Sequence, residues 1–369
     1  NLRLSASRIE SFARCRFSYF MSYGLKARPR VRAEFKAPEA GTFVHYVLQH
    51  VAASAGEVGI SALSDGRLRE LAQQFTQQYL DEKLGGREGK SARFIYLFER
   101  LAVSVERIVL DMAGELRCSD FKPLDFELDL SGAAPGAGLA LPGGGSVRAV
   151  GIADRVDGWV HNGRLYLRVV DYKTGRRSFS LSDVYYGLGM QMLLYLFTLA
   201  GAGEERYGIE TIPAGVLYIP ARDDIISAES DMTDEELEQK RRDGLVRSGL
   251  LLDDAGVLRA MEHEGSPARL PVKWKGGEPT GEALASAERL GLLARRIEDT
   301  LRAMAGEIQS GSIVADPCYK NARDNACLWC DYVSACRFSD GENGDARRYL
   351  PSLRASRVWE MMEGDESDG

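Results

Sequence analysis

The sequence predicts an α/β fold in which a sheet is flanked by helices. One predicted helix, over residues 41–53, is marked by a stripe of apolar residues at helical spacing: Phe43, Val44, Val47, Leu48 and Val51. Two runs of alternating apolar residues flank Asn162-Gly163, a pair that is typical of a tight turn between antiparallel strands. A helical pattern at 181–200 and an apolar strand at 214–220 follow this hairpin. The chain has 369 residues, of which 44% are hydrophobic and 27% are charged, so it can bury one large core or two modest ones.

The predicted elements divide the chain into five regions. Residues 1–120 form a helical N-terminal part, with helices expected at 5–23, 41–53, 66–83 and 91–117. Residues 121–220 form the core, which begins with a strand at 123–130. Residues 221–281 are more polar and are predicted to decorate the core, with an exposed helix that begins at a capping box of Thr233 and Glu236. Residues 282–340 combine a long helix at 282–309 with clustered cysteines, and residues 341–369 form a tail whose last ten residues carry five acids and no base, as a solvated segment would.

Composition and charge exclude some classes of protein. Tyrosine and glutamine side chains interrupt the most apolar run, residues 184–200, so no membrane-spanning helix is predicted. No signal peptide opens the chain, and because it starts at Asn1 we interpret the sequence as a fragment of a longer polypeptide. The net charge of −7 argues against a protein that coats nucleic acid. Nine Lys or Arg against two Glu nevertheless lie between Asn1 and Lys36, as either a local basic surface or a solvated helix face.

The predicted hairpin brings two aspartates together. A two-residue loop at Asn162-Gly163 pairs His161 with Arg164, and the same register places Asp171 opposite Asp154. Because side chains alternate along a strand, both aspartates extend apolar faces. Like charges at opposed positions destabilise a sheet, and a buried unpaired carboxylate is costly. A divalent cation would relieve both penalties.

The ligand chemistry of this pair favours Mg²⁺ or Mn²⁺, with water and a substrate phosphate completing the coordination. Lys173 lies two residues beyond Asp171 on the same face, where its ammonium could orient the attacking water and offset phosphate charge. The alternative is a salt bridge of Asp154, Asp171 and Lys173 in an inert sheet. A bulge in either strand would shift the register and remove the pairing.

Three polar residues on predicted helices are weaker candidates. His45 lies beside the apolar stripe of its helix, where a histidine is more often packed than a ligand. Gln191 and Tyr195 are four residues apart and share a helix face. They could hold a nucleic-acid backbone or pack on the sheet.

The cysteines predict a structural metal site. Cys327, Cys330 and Cys336 have a spacing that suits Zn²⁺ or an iron–sulfur cluster better than disulfides. The fourth ligand could be Cys318 or Cys15, and Cys118 is most simply a structural thiol.

Together these motifs resemble a known family. In order, "GTFVH", "GIAD", "VVDYKTG", "MQMLLY" and three clustered cysteines are similar to the nuclease domain of the RecB-type branch of the PD-(D/E)XK superfamily. With "SASRIESFARCRFSYF" ahead of them, the chain most resembles the C-terminal nuclease region of AddB-type helicase–nuclease subunits. The resemblance covers nearly the whole chain. It implies a restriction-endonuclease-like core, a mixed central sheet flanked by helices, with a helical N-terminal part and a cysteine-rich C-terminal clasp.

The resemblance also implies roles for individual residues. His45, Asp154, Asp171 and Lys173 occupy its metal-binding and catalytic positions, and the backbone carbonyl of Tyr172 is a further metal ligand. Gln191 and Tyr195 fall on the helix that supports the site. The cysteines implied to hold a 4Fe–4S cluster are Cys15, Cys327, Cys330 and Cys336.

The implied function is a Mg²⁺-dependent DNA exonuclease that hydrolyses phosphodiester bonds of one strand in double-strand break repair by recombination. It implies a heterodimer with an AddA-type helicase subunit, DNA as a further partner, and a cytoplasmic, nucleoid-associated location. Two alternatives are a non-catalytic DNA-end-binding module with a structural metal cluster and a small CRISPR-adaptation nuclease. The length of the chain and the 221–281 segment disfavour the second.

Overall fold

The computed structural model describes residues 2–28, 37–134, 138–173, 175, 178–221, 233, 236, 240, 244–342 and 344–367. Its centre is a mixed six-stranded sheet. The strands of this sheet, in chain order, are β2 (Lys122–Asp129), β5 (Ile152–His161), β6 (Arg164–Lys173), β7 (Thr211–Pro220), β8 (Ser248–Leu252) and β11 (Leu284–Ala285). Their spatial order is β11-β8-β7-β6-β5-β2, with β6 parallel to β7 and β8 parallel to β11, while the remaining neighbours are antiparallel.

Smaller sheets surround the central one. Their strands are β1 (Leu2–Ser5), β3 (Leu139–Ala140), β4 (Ser146–Val150), β9 (Lys273–Lys275), β10 (Glu278–Thr280), β12 (Cys318–Asn321), β13 (Asp324–Asn325) and β14 (Arg348–Tyr349). Strand β4 lies between β1 and β3, β9 pairs with β10, and β12 lies between β13 and β14. The sequence between β4 and β5 is a single residue, Gly151, so one extended segment serves two sheets.

The helices precede, connect and follow these strands. They are α1 (Ala6–Arg14), α2 (Arg16–Tyr19), α3 (Ala37–Ala55), α4 (Asp65–Leu84), α5 (Ala92–Arg117), α6 (Leu130–Ala133), α7 (Leu181–Tyr185), α8 (Gln191–Gly201), α9 (Gly203–Tyr207), α10 (Ala255–Met261), α11 (Ala287–Gln309), α12 (Val333–Cys336) and α13 (Ala355–Ser367). Ser64, Ser91 and Ser286 cap α4, α5 and α11, because each side chain accepts a hydrogen bond from a backbone N–H of the first turn. The predicted mixed sheet flanked by helices is therefore confirmed.

Two predicted helices are broken in the structure. The helix expected at 5–23 is interrupted at Cys15, whose backbone is extended, and it ends in a π-helical turn over Phe20–Gly24. The helix expected at 181–200 is two helices, α7 and α8, because Gly187 and Gly189 between them adopt positive φ angles of 82° and 63°. Both breaks lie next to residues that were predicted to have a function.

The region 221–281 does more than decorate the core. Strand β8 joins the central sheet, and Leu250, Leu251 and Leu258 of β8 and α10 are fully buried. The expectation of a purely peripheral insertion is wrong here, because a short apolar segment is hidden within a polar stretch. The capping box is confirmed, since Thr233 N–H donates to Glu236 and Glu236 N–H donates to Thr233. Most of the helix expected after it lies outside the described residues.

The last region is a packed helix. Val358, Trp359 and Met362 of α13 are buried, and α13 contacts α7 and α11. Met362 lies within the last ten residues, which were expected to be solvated. That expectation is wrong at this position, because the apolar residues of α13 recur at helical spacing and cover the core.

The N-terminal segment meets the cysteine-rich clasp, which we define as residues 318–340. Arg14 donates to Asp324 and to the backbone of Asn325, and Tyr332 in the clasp donates to the backbone carbonyl of Ala27. Arg16 is paired with Glu307 and Asp316, so part of the basic N-terminal stretch is neutralised internally. Among the described helices, none has both the length and the apolar character that are needed to cross a bilayer.

Candidate active site

The hairpin of β5 and β6 has the register that the sequence predicts. The two strands form seven residue pairs beyond the Asn162-Gly163 turn with no shift in register. The first pair is His161 with Arg164, and the last is Arg155 with Val170. Asn162 and Gly163 have φ angles of 49° and 74°, as a type I′ turn requires. Asp154 and Asp171 are the next pair in this register.

A third acid extends this pair across the sheet. Strand β2 pairs Phe126 with Arg155 and Leu128 with Ala153, so Glu127 lies beside Asp154. Glu127 has a φ of 48°, an uncommon conformation for a residue with a side chain, and such strain concentrates at functional sites. We call Glu127, Asp154 and Asp171 the carboxylate row. The sequence patterns did not identify Glu127 as a site residue, although its strand carries acids at alternate positions.

His45 lies over the row. The apolar stripe of α3 packs into the core, and His45 projects from the edge of that stripe toward β2 and β5. Its Nδ1 atom is 2.9 Å from Glu127 Oε1 and 3.4 Å from Asp154 Oδ1. His45, Glu127 and Asp154 each offer a ligand atom within 4.8 Å of the others, which suits a single metal ion.

The row shifts the pKa values of its members. Burial, and then the charge of Asp171, raise the pKa of Asp154 to about 7. Burial disfavours a charged imidazole at His45, yet the hydrogen bond with Glu127 and the charge of Asp154 raise its pKa above the ordinary value. In both shifts the neighbouring carboxylates favour the protonated form.

Lys173 and Tyr172 bond to the row from β6. Lys173 Nζ is 2.9 Å from Asp171 Oδ1, and Asp171 is only 3% exposed. The backbone N–H of Tyr172 donates to Asp154 Oδ2 at 2.9 Å. Lys173 thus pairs with Asp171, while Asp154 is held by an amide and faces His45 instead of a lysine.

Gln191 and Tyr195 lie on α8, as the predicted helix face requires. They share a hydrogen bond, and Tyr195 is buried near Asp154 and Asp171, with its pKa raised to about 12 chiefly by burial. A Cβ atom at Gly151 would lie 2.0 Å from the Tyr195 hydroxyl, so only glycine allows this close approach. Tyr195 therefore packs on the bend that precedes Asp154.

The cysteines form a second group. Cys15 lies at the break after α1, and Cys327, Cys330 and Cys336 lie in the clasp. Burial raises the pKa of Cys327, and Cys15, Cys330 and Cys336 raise it further by their proximity. Cys318 is buried beside Arg14 and Arg348, and Cys118 lies at the end of α5. All six cysteines are free thiols.

Comparison with known proteins agrees with this geometry. The sequence model of the PD-(D/E)XK nuclease superfamily matches residues 3–337. A Ruminiclostridium cellulolyticum protein, named as a subunit of an ATP-dependent helicase/deoxyribonuclease, is 32% identical over 365 residues, covering 97% of this chain and 32% of that protein. A protein of the same name from Clostridium botulinum (Loch Maree) is 31% identical, and the match covers 98% of this chain and 32% of that protein. One from Clostridium acetobutylicum is 30% identical, and the match covers 100% of this chain and 32% of that protein. The chain thus spans about a third of the length of these curated relatives. From the match to its sequence model and from the mixed sheet that carries the site, the chain belongs to the PD-(D/E)XK nuclease superfamily.

Proposed function

We propose that this chain is the Mg²⁺-dependent exonuclease domain of a helicase–nuclease complex that processes DNA ends in double-strand break repair. The observation that carries the proposal is the carboxylate row, which sets three acids side by side with one lysine at its end. Such an arrangement is costly in the absence of a cation. Oxygen donors with one imidazole fit Mg²⁺ or Mn²⁺.

Each residue has a distinct part in the proposed reaction. Glu127, Asp154, Asp171 and His45 would hold the metal. When bound, the metal would lower the pKa of the attacking water and neutralise charge that develops on the phosphate. Lys173 is anchored by Asp171 but partly exposed, so its ammonium can contact the scissile phosphate. Tyr195 and Gln191 keep the start of β5 in place.

A cleft beside the row supports a strand-shaped substrate. It has a volume of about 570 Å³, and Lys173 and Gln191 are among the residues that line it. It continues to Arg14 of α1 and Lys320 of the clasp, and Phe179 and Tyr218 offer aromatic surface along it. Arg14 and Lys320 pair with the acids Glu10, Asp183 and Asp324, which also line the cleft, so its support for a single strand rests on Lys173 and the aromatic surface.

The direct test is release of nucleotides from end-labelled single-stranded DNA. We expect release with Mg²⁺, none with EDTA, and none from Asp171→Ala. Asp299→Ala, which alters an exposed acid of α11 that pairs with Arg302 of the same helix, is the matched control and should cleave normally. Full metal-dependent cleavage by Asp171→Ala would contradict the proposal. End binding without cleavage, even with the helicase partner added, would favour the DNA-end-binding module.

Glu127 requires an assay of its own, because it was recognised only from the strand pairing. Glu127→Gln keeps the size of the side chain and removes its charge. If Glu127 helps to hold the metal, the variant should need a higher Mg²⁺ concentration for half-maximal cleavage and should recover at saturating Mg²⁺. An unchanged Mg²⁺ requirement would remove Glu127 from the ligand set.

The proposal includes a 4Fe–4S cluster on Cys15, Cys327, Cys330 and Cys336. Their mutual proximity supports this set over one that contains Cys318. Among the described residues no three cysteine sulfur atoms lie within 4.8 Å of one another. Thiolates bound to one zinc ion at about 2.3 Å would lie only about 3.8 Å apart. The wider spacing favours a cluster, which would tie the N-terminal part to the clasp.

Iron content and visible absorbance of protein purified without oxygen test this assignment. We expect iron with broad charge-transfer absorbance in the wild type and in Cys318→Ser, and loss of both in Cys15→Ser. Zinc in place of iron, or iron lost with Cys318→Ser but kept with Cys15→Ser, would overturn it.

The partner in this proposal is an AddA-type helicase subunit that delivers one DNA strand in the cytoplasm. The relatives are named as one subunit of an ATP-dependent helicase/deoxyribonuclease, and this name supports the existence of a partner subunit. Co-purification of the two subunits, followed by ATP-driven degradation of duplex DNA that Asp171→Ala abolishes, would test it.

A further inference from the structure

The face of β5 and β6 opposite the carboxylate row carries a buried network of charges. Because side chains alternate, Arg155 and Tyr172 follow Asp154 and Asp171 in sequence but point to the other face. Arg155 is 0% exposed and Tyr172 is 4% exposed. The charged members of this network are Arg155, Arg168, Arg247, Arg269, Asp111, Glu115 and Asp157.

The network fixes Arg155 in one orientation. Its Nη2 atom donates to Glu115 at 3.1 Å and to Asp157 at 3.0 Å. The same two carboxylates also accept hydrogen bonds from Arg168. The Nη1 atom of Arg155 points away from these acids and donates to the hydroxyl of Tyr172 at 2.6 Å.

Tyr172 links this network to the carboxylate row. Its hydroxyl accepts from Arg155 and donates to the sulfur of Met112 at 3.2 Å. Burial raises the pKa of Tyr172, which keeps the hydroxyl neutral and able to donate. On the other face its backbone N–H donates to Asp154 Oδ2 at 2.9 Å. Tyr172 is therefore bonded on both faces of the sheet.

We propose that Arg155 and Tyr172 are a positioning pair that aims the Asp154 carboxylate at the metal. The proposal rests on the function proposed above. The Tyr172 amide holds Asp154 Oδ2, which leaves Oδ1 directed toward His45 at 3.4 Å. Arg155 holds the Tyr172 side chain and thereby the peptide that donates to Asp154. Partners that orient a metal ligand commonly change metal affinity or activity by about 10- to 100-fold when they are lost.

The test removes one hydroxyl and measures metal binding directly. Calorimetric titration of Tyr172→Phe with Mn²⁺, without DNA, should give a dissociation constant at least about tenfold above the wild-type value. Turnover at a fixed low Mg²⁺ concentration should fall and recover as Mg²⁺ is raised, while KM for DNA stays unchanged. Circular dichroism first establishes a temperature at which each variant is folded.

Two control variants separate positioning from general loosening. Tyr207→Phe also removes a tyrosine hydrogen bond to a carboxylate, that of Asp125, but it does not touch the row. Arg247→Lys alters a network member that bonds Asp111 and Glu115, whereas the Tyr172 hydroxyl bonds Arg155 and Met112. Tyr207→Phe should match the wild type, and Arg247→Lys should lower Tm without changing the Mn²⁺ dissociation constant.

The outcomes separate this inference from the proposed function. Wild-type affinity in folded Tyr172→Phe, or equal weakening in Arg247→Lys, would overturn the positioning role while leaving the metal site intact. A wild-type protein that binds no Mn²⁺ and cleaves no DNA would overturn the proposed function, and this inference with it.

Discussion

The two faces of the β5–β6 hairpin each gather three carboxylates, but they neutralise them differently. On one face Glu127, Asp154 and Asp171 have one lysine and one histidine beside them. On the other face Asp111, Glu115 and Asp157 contact four arginines: Arg155, Arg168, Arg247 and Arg269. Both sets lie largely out of solvent, with Asp171 3% and Asp157 0% exposed.

The pKa values express this difference. Burial raises the pKa of any carboxyl group, and for Asp154 burial together with the charge of Asp171 raises it to about 7. Glu115 is buried as well, but the positive charges of Arg155, Arg168 and Arg247 outweigh burial and lower its pKa to about 2. Both faces are buried, so burial does not distinguish them. What distinguishes the carboxylate row from the arginine network is that its negative charge lacks enough neighbouring positive charge, and such a site needs a cation.

The largest expected effect comes from removing a charge on the carboxylate row. Asp154→Asn should lower cleavage at least about a thousandfold, because loss of metal stabilisation costs several kcal/mol in the transition state. The free energy of unfolding of the metal-free protein should stay the same or rise, since a buried repulsion is removed. Nucleotide release and denaturant unfolding check the two parts. A strongly destabilised variant would place Asp154 among structural charges.

Neutralising a carboxylate on the opposite face should lower the free energy of unfolding. Glu115→Gln leaves arginines without their carboxylate and should lower the free energy of unfolding by about 3–5 kcal/mol. Glu106→Gln, on the same helix but in a more exposed ion pair with Arg69, should cost under about 1 kcal/mol. Urea unfolding of both variants makes the comparison. Similar losses would show that the buried network is no stronger than a surface pair.

Acid should weaken the same network. The folded-state pKa of Glu115 is about 2, below its ordinary 4.5, so its contribution is present above pH 4.5 and is lost as pH falls toward 2. Over that window the loss should approach about 3 kcal/mol, since each pKa unit corresponds to about 1.4 kcal/mol. Unfolding measured from pH 6 to pH 3 should slope less steeply in Glu115→Gln. Parallel slopes would mean that another carboxylate carries the acid sensitivity.

The carboxylate row was largely predictable from the sequence because turn chemistry fixes register. Asn162-Gly163 admits a two-residue turn, and alternation then determines which residue faces Asp171. This argument could not identify Glu127, since no short turn joins β2 to β5 and fixes the pairing of these two strands. A bulge between Pro123 and Asp125 further hides the register of β2. The acids at Asp125, Glu127 and Asp129 were the available signal.

The buried network was not predictable, because its members come from distant segments. Glu115 lies in the last turn of a long helix, and Arg247 lies in a region whose polar composition suggested an insertion. Arginine in a predicted strand ordinarily indicates an exposed position, yet Arg155 and Arg168 are fully buried. Only the tertiary structure brings their partners to them. The same applies to β8, whose few apolar residues give too short a pattern to identify a core strand.

The smallest expected effect concerns pH and the metal. Burial and the charge of Asp171 raise the pKa of Asp154 to about 7, and the pKa of His45 is raised as well, so a cation must displace protons from both ligands. The Mn²⁺ dissociation constant should therefore fall by more than about tenfold per pH unit below the two pKa values and level off above them. Calorimetry at several pH values, in buffers of different ionisation enthalpy, should detect more than one proton released near pH 6. Asp154→Asn should bind more weakly and show a shallower slope, which His45 alone produces. Glu115 is already ionised throughout this range, so the opposite face should take no part. Pairing with the arginines keeps Glu115 ionised, whereas Asp154 becomes ionised in this range when the metal binds.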